Sequence, residues 1–320
     1  MSGRTLAEPE VEVVVEKIDT PAAGVRELVL RAPAGTELPL WTPGAHIDVE
    51  AGGYTRQYSL CGDPFDVSTW RIAILREPDG RGGSAYMHDK VSEGTTLRVR
   101  GPRNHFALEP SPTYIFIAGG IGITPILPMI TESDASGADW TLAYGGRTRS
   151  SIAYGDELVA QYADRVQVLP ADETGLLDLN KLIGEPRADT MVYCCGPEPL
   201  LRAVEERCAS WLPGALHIER FAPKQQAEPV LTESFEVELS DSRRTLTVPP
   251  DKSILAVLEE AGIDVLSSCT EGTCGTCETV VLDGQVDHRD SLLTPAEQAA
   301  NDVMFVCVSR GACDKLVLEL

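Results

Sequence analysis

Residues 267–280 read SSCTEGTCGTCETV, which sets Cys269, Cys274 and Cys277 within nine positions; a fourth thiol, Cys307, follows after 29 residues in MFVCVSR. Four chemistries would crowd thiols in this way: a disulfide knot, a zinc site, a dithiol redox motif or an iron–sulfur cluster. The chain of 320 residues contains nine cysteines, an odd number that cannot all pair internally. It begins MSGRTLAEPEVEVVV, without the apolar run of a secretory leader, and no window approaches the length of a membrane span. A soluble, cytoplasmic protein is therefore expected, and its reducing surroundings disfavour structural disulfides.

The spacing C-x4-C-x2-C, then 29 residues, then C is that of a plant-type [2Fe–2S] centre. A tight loop supplies three thiolates and a neighbouring strand the fourth, while Gly272 and Gly275 let the loop backbone approach inorganic sulfide and donate N–H groups. Structural zinc usually takes two paired knuckles, and Cys307 has no near partner for one. A thioredoxin-like dithiol opens a helix, whereas Cys274 and Cys277 precede a strand pattern. Cys61, Cys208 and Cys313 are isolated thiols, read as buried or incidental.

Outward from this loop the chain falls into distinct stretches. Residues 1–110 contain short alternating strands (VEVVVEKI, RELVLRA, HIDVEA, TRQYSLC, TWRIAIL, TLRVR) broken by Pro- and Gly-rich turns, the pattern of a small antiparallel β-barrel. Residues 111–222 alternate buried strands (TYIFIA, WTLAYG, RVQVL, TMVYCC) with helices, which predicts an α/β, doubly wound parallel sheet. Residues 223–232 read as a polar, Pro-bearing linker, and 233–320 as a third domain of α+β type with a helix at SILAVLEEAGI and another capped by Thr294 with Pro295 at its first position. The formal net charge is −22; residues 233–320 alone hold 17 acidic and 6 basic side chains. Such a balance excludes a nucleic-acid partner, which needs a basic face, and makes the last domain an acidic docking module.

The upstream domains carry ligand-binding patterns. YIFIAGGIGITPIL puts Gly119, Gly120 and Gly122 after an apolar strand, with Thr124 read as an N-cap and Pro125 as the first helical residue, a turn suited to a phosphate or to plain packing. VYCCGPEP presents Cys195 and Gly196 at another strand end, although taken alone it reads more simply as a buried cysteine before a helix-starting proline. In the barrel, TRQYSL sets Arg56 and Tyr58 on one strand face with Ser59 beside them, and EPDGRGGS offers Gly82, Gly83 and Ser84 as a flexible loop able to wrap a phosphate; a solvated arginine and an ordinary hairpin explain these residues equally well.

RQYSL, GRGGS, GGIGITP, YCCGP and CTEGTCGTC, in this order over nearly the whole chain, resemble the phthalate dioxygenase reductase family, with vanillate demethylase reductases as relatives. The resemblance implies an FMN-binding barrel, an NAD-binding domain of ferredoxin reductase type and a C-terminal ferredoxin (β-grasp) domain. It implies that Arg56 and Gly82–Ser84 hold the FMN phosphate, that Tyr58 lies against the flavin ring and that Ser59 stands near its reactive edge, with Ile74 and Leu75 adding backbone contacts. Gly119–Thr124 would receive the dinucleotide, Cys195 would lie near the nicotinamide, and Phe221 in HIERF would be the aromatic beside the flavin. Cys269, Cys274, Cys277 and Cys307 would bind the iron.

A flavin is needed there because NADH yields two electrons together and the cluster takes one at a time. With five histidines and no facial iron-binding pattern, the chain itself activates no oxygen, so a terminal oxygenase of Rieske type, or a cytochrome P450, is the implied acceptor. A free-standing flavin reductase and a redox-sensing interaction protein are the competing readings. After WTLAYG the residues Arg147, Arg149 and Ser150 stand where they could grip the extra phosphate of NADPH, whereas the family prefers NADH.

Overall fold

Alternating apolar and polar residues near the N-terminus form six antiparallel strands: β1 (Glu10–Ala22), β2 (Val25–Arg31), β3 (His46–Ala51), β4 (Tyr54–Ser59), β5 (Thr69–Leu75) and β6 (Thr96–Arg103). The computed structural model describes residues 9–224, 226 and 228–320; Gln225 and Ala227 of the expected linker lie outside them. The strand order is β4-β3-β6-β1-β2-β5, and a bridge between Leu60 and Ile72 joins the outer strands into a barrel. Alternate residues point inward, so that Val13, Val15, Leu28, Leu30, Ile47, Val49, Ile72 and Val99 fill its core. The loop read as wholly flexible turns at Gly83 into a helix, α1 (Gly83–Asp89). Arg26, distant in sequence, donates to the Met87 and His88 carbonyls at 2.7 and 2.6 Å and so satisfies the last turn of that helix.

From Thr113 the strands become continuously apolar, as strands buried on both faces must be: β7 (Thr113–Gly119), α2 (Ile123–Ala135), β8 (Asp139–Gly146), α3 (Gly155–Tyr162), β9 (Val166–Pro170), α4 (Ala171–Thr174), α5 (Leu179–Ile183), β10 (Thr190–Cys195), α6 (Glu198–Cys208) and β11 (Leu216–Glu219). The sheet is parallel, in the order β11-β10-β7-β8-β9. Ile126, Met129 and Ile130 of α2 pack on Phe116 and Leu142 from one side, and Leu201 and Val204 of α6 on Ile115 and Val192 from the other. The order reverses between β7 and β10, and in sheets of this kind ligands bind in the crevice outside the carboxyl ends of the strands at such a point.

Barrel and parallel sheet share one core, in which Ala22, Val25, Cys61 and Ala73 of the barrel join the apolar side chains of the sheet. Across the seam the buried Tyr154 hydroxyl donates to Glu27 Oε2 at 2.5 Å, and Arg71 Nε lies 3.6 Å from the same oxygen. Tyr154 adopts φ +61°, a left-handed conformation that costs a tyrosine about 1–2 kcal/mol. The two layers belong to one compact unit, Met1–Glu219.

The second unit, Arg220–Leu320, contains β12 (Phe235–Leu239), β13 (Arg244–Val248), α7 (Ile254–Glu260), β14 (Glu278–Asp283), β15 (Val286–Asp287), α8 (Pro295–Ala300), β16 (Val303–Phe305), β17 (Arg310–Gly311) and β18 (Lys315–Leu318). Its main sheet runs β13-β12-β18-β14-β16, and Ile254, Leu255 and Leu258 of α7 pack on Val237, Leu316 and Leu318, a β-grasp. Ser253 caps α7, and Thr294 with Glu297 forms a capping box before Pro295 at the start of α8.

Removing the Tyr154 hydroxyl strands the buried Glu27 carboxylate. The Tyr154→Phe variant is expected to lose about 2 kcal/mol of stability in the first unit, measured by urea unfolding.

Candidate functional site

The cysteine loop between α7 and β14 buries Cys269, Cys274 and Cys277, and Cys307 is buried with them. Cys307 sits in the turn that follows β16, not on the strand expected to present it; the strand stops at Phe305 because the chain bends there, with Val308 and Ser309 N–H groups both donating to the Phe305 carbonyl. The sulfurs meet as successive neighbours, Cys274 and Cys307 beside Cys269, and Cys307 beside Cys277, and these thiols hold Cys269 and Cys277 below the usual thiol range. Four thiols meeting in this succession fit a two-iron cluster. The Glu271 and Thr273 N–H groups donate to Cys269 Sγ at 3.3 and 3.5 Å. Gly272 has φ +70°, and a Cβ there would stand 2.6 Å from Val308 Cγ2.

In the first unit the turns after β7 and β10 interlock. A Cβ on Gly122 would fall 2.2 Å from the Cys195 carbonyl oxygen, one on Gly119 2.7 Å from Pro197 Cδ, and one on Gly196 3.0 Å from Gly119 Cα. Only residues without a Cβ let these backbones lie together. Tyr144 fixes the turn by donating to the Gly120 carbonyl at 3.0 Å. Thr124 is not the N-cap: a 3-10 turn, Gly120–Gly122, runs directly into α2 at Ile123, so Thr124 is already helical and donates to the Ile121 carbonyl at 3.0 Å. Pro125 is accommodated in the first helical turn, where no N–H is required.

In the barrel, Arg56 lies over the turn at the start of α1: a Cβ on Gly83 would meet Arg56 Cγ and Nε at 2.8 Å, and Gly82 has φ +90°. Ser84 Oγ accepts from Glu77 N–H at 3.1 Å. Nearby on β4 the Tyr58 hydroxyl and Ser59 Oγ are buried without a hydrogen-bond partner among the described residues, a costly state that a polar ligand would relieve. Burial pushes the Tyr58 hydroxyl up to about 12, so it remains a donor at neutral pH. The Ile74 carbonyl is in contact with His88 Nε2 at 2.9 Å, and Leu75 follows at the end of β5. These polar groups and the glycine turn fit a flavin mononucleotide. Phe221, 48% exposed, falls in the second unit.

A model described as an oxidoreductase NAD-binding domain matches residues 116–206, and one described as a 2Fe-2S iron–sulfur cluster binding domain matches 237–311. Over 93% of both chains the protein is 40% identical to the phthalate 4,5-dioxygenase oxygenase reductase subunit of Pseudomonas putida. The chain belongs to the phthalate dioxygenase reductase family. A solved structure described as phthalate dioxygenase reductase, "a modular structure for electron transfer from pyridine nucleotides to [2Fe-2S]", shares 34% identity and a TM-score of 0.71 over 97% of this chain and 98% of that one. An intact type IV self-sufficient cytochrome P450 monooxygenase matches 100% of this chain with 43% of its own, at 43% identity and a TM-score of 0.92. Among the described residues of this reductase no helix is long and apolar enough to cross a membrane.

The sequence reading passed over Glu219, the residue of the reductase that faces Cys195. Strands β10 and β11 pair them in register, and Cys195 Sγ donates to Glu219 Oε2 at 3.8 Å. Glu219 is half-buried as a residue, and its carboxyl is the enclosed end; burial pushes it up to about 8, and burial together with this carboxylate pushes the Cys195 thiol well up. HIERF held the only signal, an acid in a strand, and its partner becomes apparent only once β11 is known to pair with β10.

Two outcomes follow for the reductase. The Gly122→Ala variant must push the two turns apart, and is expected to lose about tenfold or more in NADH affinity, read by titration of the flavin spectrum. For Glu219, the folded state keeps a proton that the unfolded chain releases above about 4.5, so stability falls as pH rises from there to about 8 and is level beyond. Relative to Glu219→Gln, the wild-type melting temperature should therefore decline across that window, by about 3 °C per kcal/mol, in thermal unfolding at fixed ionic strength.

Proposed function

We propose that this chain is the reductase of a multicomponent oxygenase: it takes hydride from NADH onto FMN and delivers single electrons through a [2Fe–2S] cluster to a separate Rieske-type aromatic dioxygenase or O-demethylase. The observation that carries the reading is one chain holding glycine turns packed together after β7 and β10, the buried Tyr58 and Ser59 hydroxyls that have no partner among the described residues, and four buried thiols that meet as successive neighbours. When bound, the flavin accepts a hydride and releases electrons singly.

In this reading Arg56 and Gly82–Ser84 hold the FMN phosphate by charge and backbone N–H groups. Tyr58 and Ser59 give their unpaired hydroxyls to the ring, Ile74 and Leu75 border it, and Phe221 is its aromatic cover. Gly119, Gly120, Gly122 and Thr124 receive the dinucleotide phosphates at the start of α2, Arg147 stands on the adenosine side, and Cys195 and Gly196 line the nicotinamide position. Cys269, Cys274, Cys277 and Cys307 hold the irons. No strong general acid or base is required. The flavin domain spans 1–110, the nucleotide domain 111–222, a linker 223–232 and the ferredoxin domain 233–320; the protein works in the cytoplasm.

A haem acceptor is the second reading, favoured by the P450 monooxygenase that matches the whole chain at 43% identity. Electron paramagnetic resonance after anaerobic NADH addition tests the path. A rhombic [2Fe–2S] signal is expected in that sample. A signal with dithionite but not NADH would overturn the NADH-to-cluster route, and iron-free protein would overturn the cluster assignment. Mixing the reduced protein with a Rieske oxygenase or with a P450, and following reoxidation, separates the two acceptors.

A further inference from the structure

The turn after β8, which sequence alone leaves open to NADPH, is neutralised by a group distant in sequence. In sheets of this kind the adenosine ribose reaches the end of the strand beside the phosphate-binding one, where an acid suits free hydroxyls and an arginine suits a 2′-phosphate. That strand is β8, paired with β7 through Gly119 and Gly145 and followed by Arg147, Thr148 and Arg149. The next strand, β9, leads into Ala171, Asp172 and Glu173. Asp172 N–H donates to the Arg147 carbonyl at 3.2 Å, which ties the two turns together. Arg149 Nε and Nη2 then donate to Glu173 Oε1 and Oε2 at 3.0 and 2.7 Å.

We infer that Glu173 selects NADH over NADPH, by occupying the Arg149 fork and by setting a carboxylate where the 2′-phosphate would lie. This rests on the crevice being the dinucleotide site. A guanidinium whose Nε–Nη2 edge is held by one carboxylate no longer offers that edge for a bidentate clasp on a phosphate. Asp156 and Asp172 add their negative charge around Arg149, so two arginines stand against three carboxylates and a 2′-phosphate of about −1.5 to −2 meets net repulsion. A ribose with free hydroxyls instead finds an acceptor. The pair is accessible to ligand, Arg149 being 53% and Glu173 45% exposed. Exposed ion pairs contribute little to stability, so the pair matters through what it denies the ligand.

The test uses the full-length holoprotein and the neutral isostere Glu173→Gln. Calorimetric titration with 2′,5′-ADP and with 5′-AMP reads the 2′ position apart from turnover, and ferricyanide reduction gives the kcat/KM ratio for NADPH over NADH. Glu173→Gln is expected to strengthen 2′,5′-ADP binding relative to 5′-AMP about tenfold and to raise the NADPH:NADH ratio comparably. Adding Arg149→Gln should cancel both gains. The inference is overturned if 5′-AMP binds and 2′,5′-ADP affinity is unchanged in Glu173→Gln, if the gain survives loss of Arg149, or if the wild type already favours 2′,5′-ADP. Failure of 5′-AMP to bind and of NADH to reduce the flavin would remove the dinucleotide reading itself, and Glu173 with it.

Discussion

The space that three absent Cβ atoms would fill governs the first unit. Gly119, Gly122 and Gly196 allow the turns after β7 and β10 to approach within backbone contact, and a Cβ there would strike the Pro197 ring, the Cys195 carbonyl or the Gly119 backbone respectively. Because the turns lie together, the crevice sits where the strand order reverses, with the start of α2 on one wall and Cys195 on the other.

The seam between barrel and sheet extends the same control. A shared apolar core joins the layers without directional preference, whereas the Tyr154–Glu27 hydrogen bond and the nearby Arg71 have one good geometry. Polar groups buried at a seam lend it specificity more than strength. The barrel that carries Tyr58 and Ser59 and the sheet that carries Gly119 and Cys195 are thus held as one body.

Much of this was legible in the chain. Hydrophobic alternation marked the barrel strands, continuous apolar runs marked the parallel ones, and Thr294 with Pro295 marked a helix start, since these signals are local. The cysteine spacing pointed to one centre, and the structure brings those thiols together. What escaped was set by partners far away. Thr124 looked like a cap until the 3-10 turn before it took up the helix start; the GRGGS loop gave no sign that Arg26 would complete a helix after it; Cys307 was placed on a strand that stops two residues earlier. Arg149 looked free for a phosphate because Glu173 lies beyond another strand, and Glu219 gains its meaning from register with Cys195.

Glu219, the neighbour of Cys195, is also the last residue of its unit, so the polypeptide leaves the crevice directly for the cysteine-bearing unit. A covalent connection makes exchange between the two redox centres a first-order event, independent of how dilute the protein becomes. Delivery to an outside acceptor is second order and slows with dilution. Scarcity of the acceptor would therefore leave electrons stored within each molecule, and the chain would act as a small capacitor whose discharge is metered by collision.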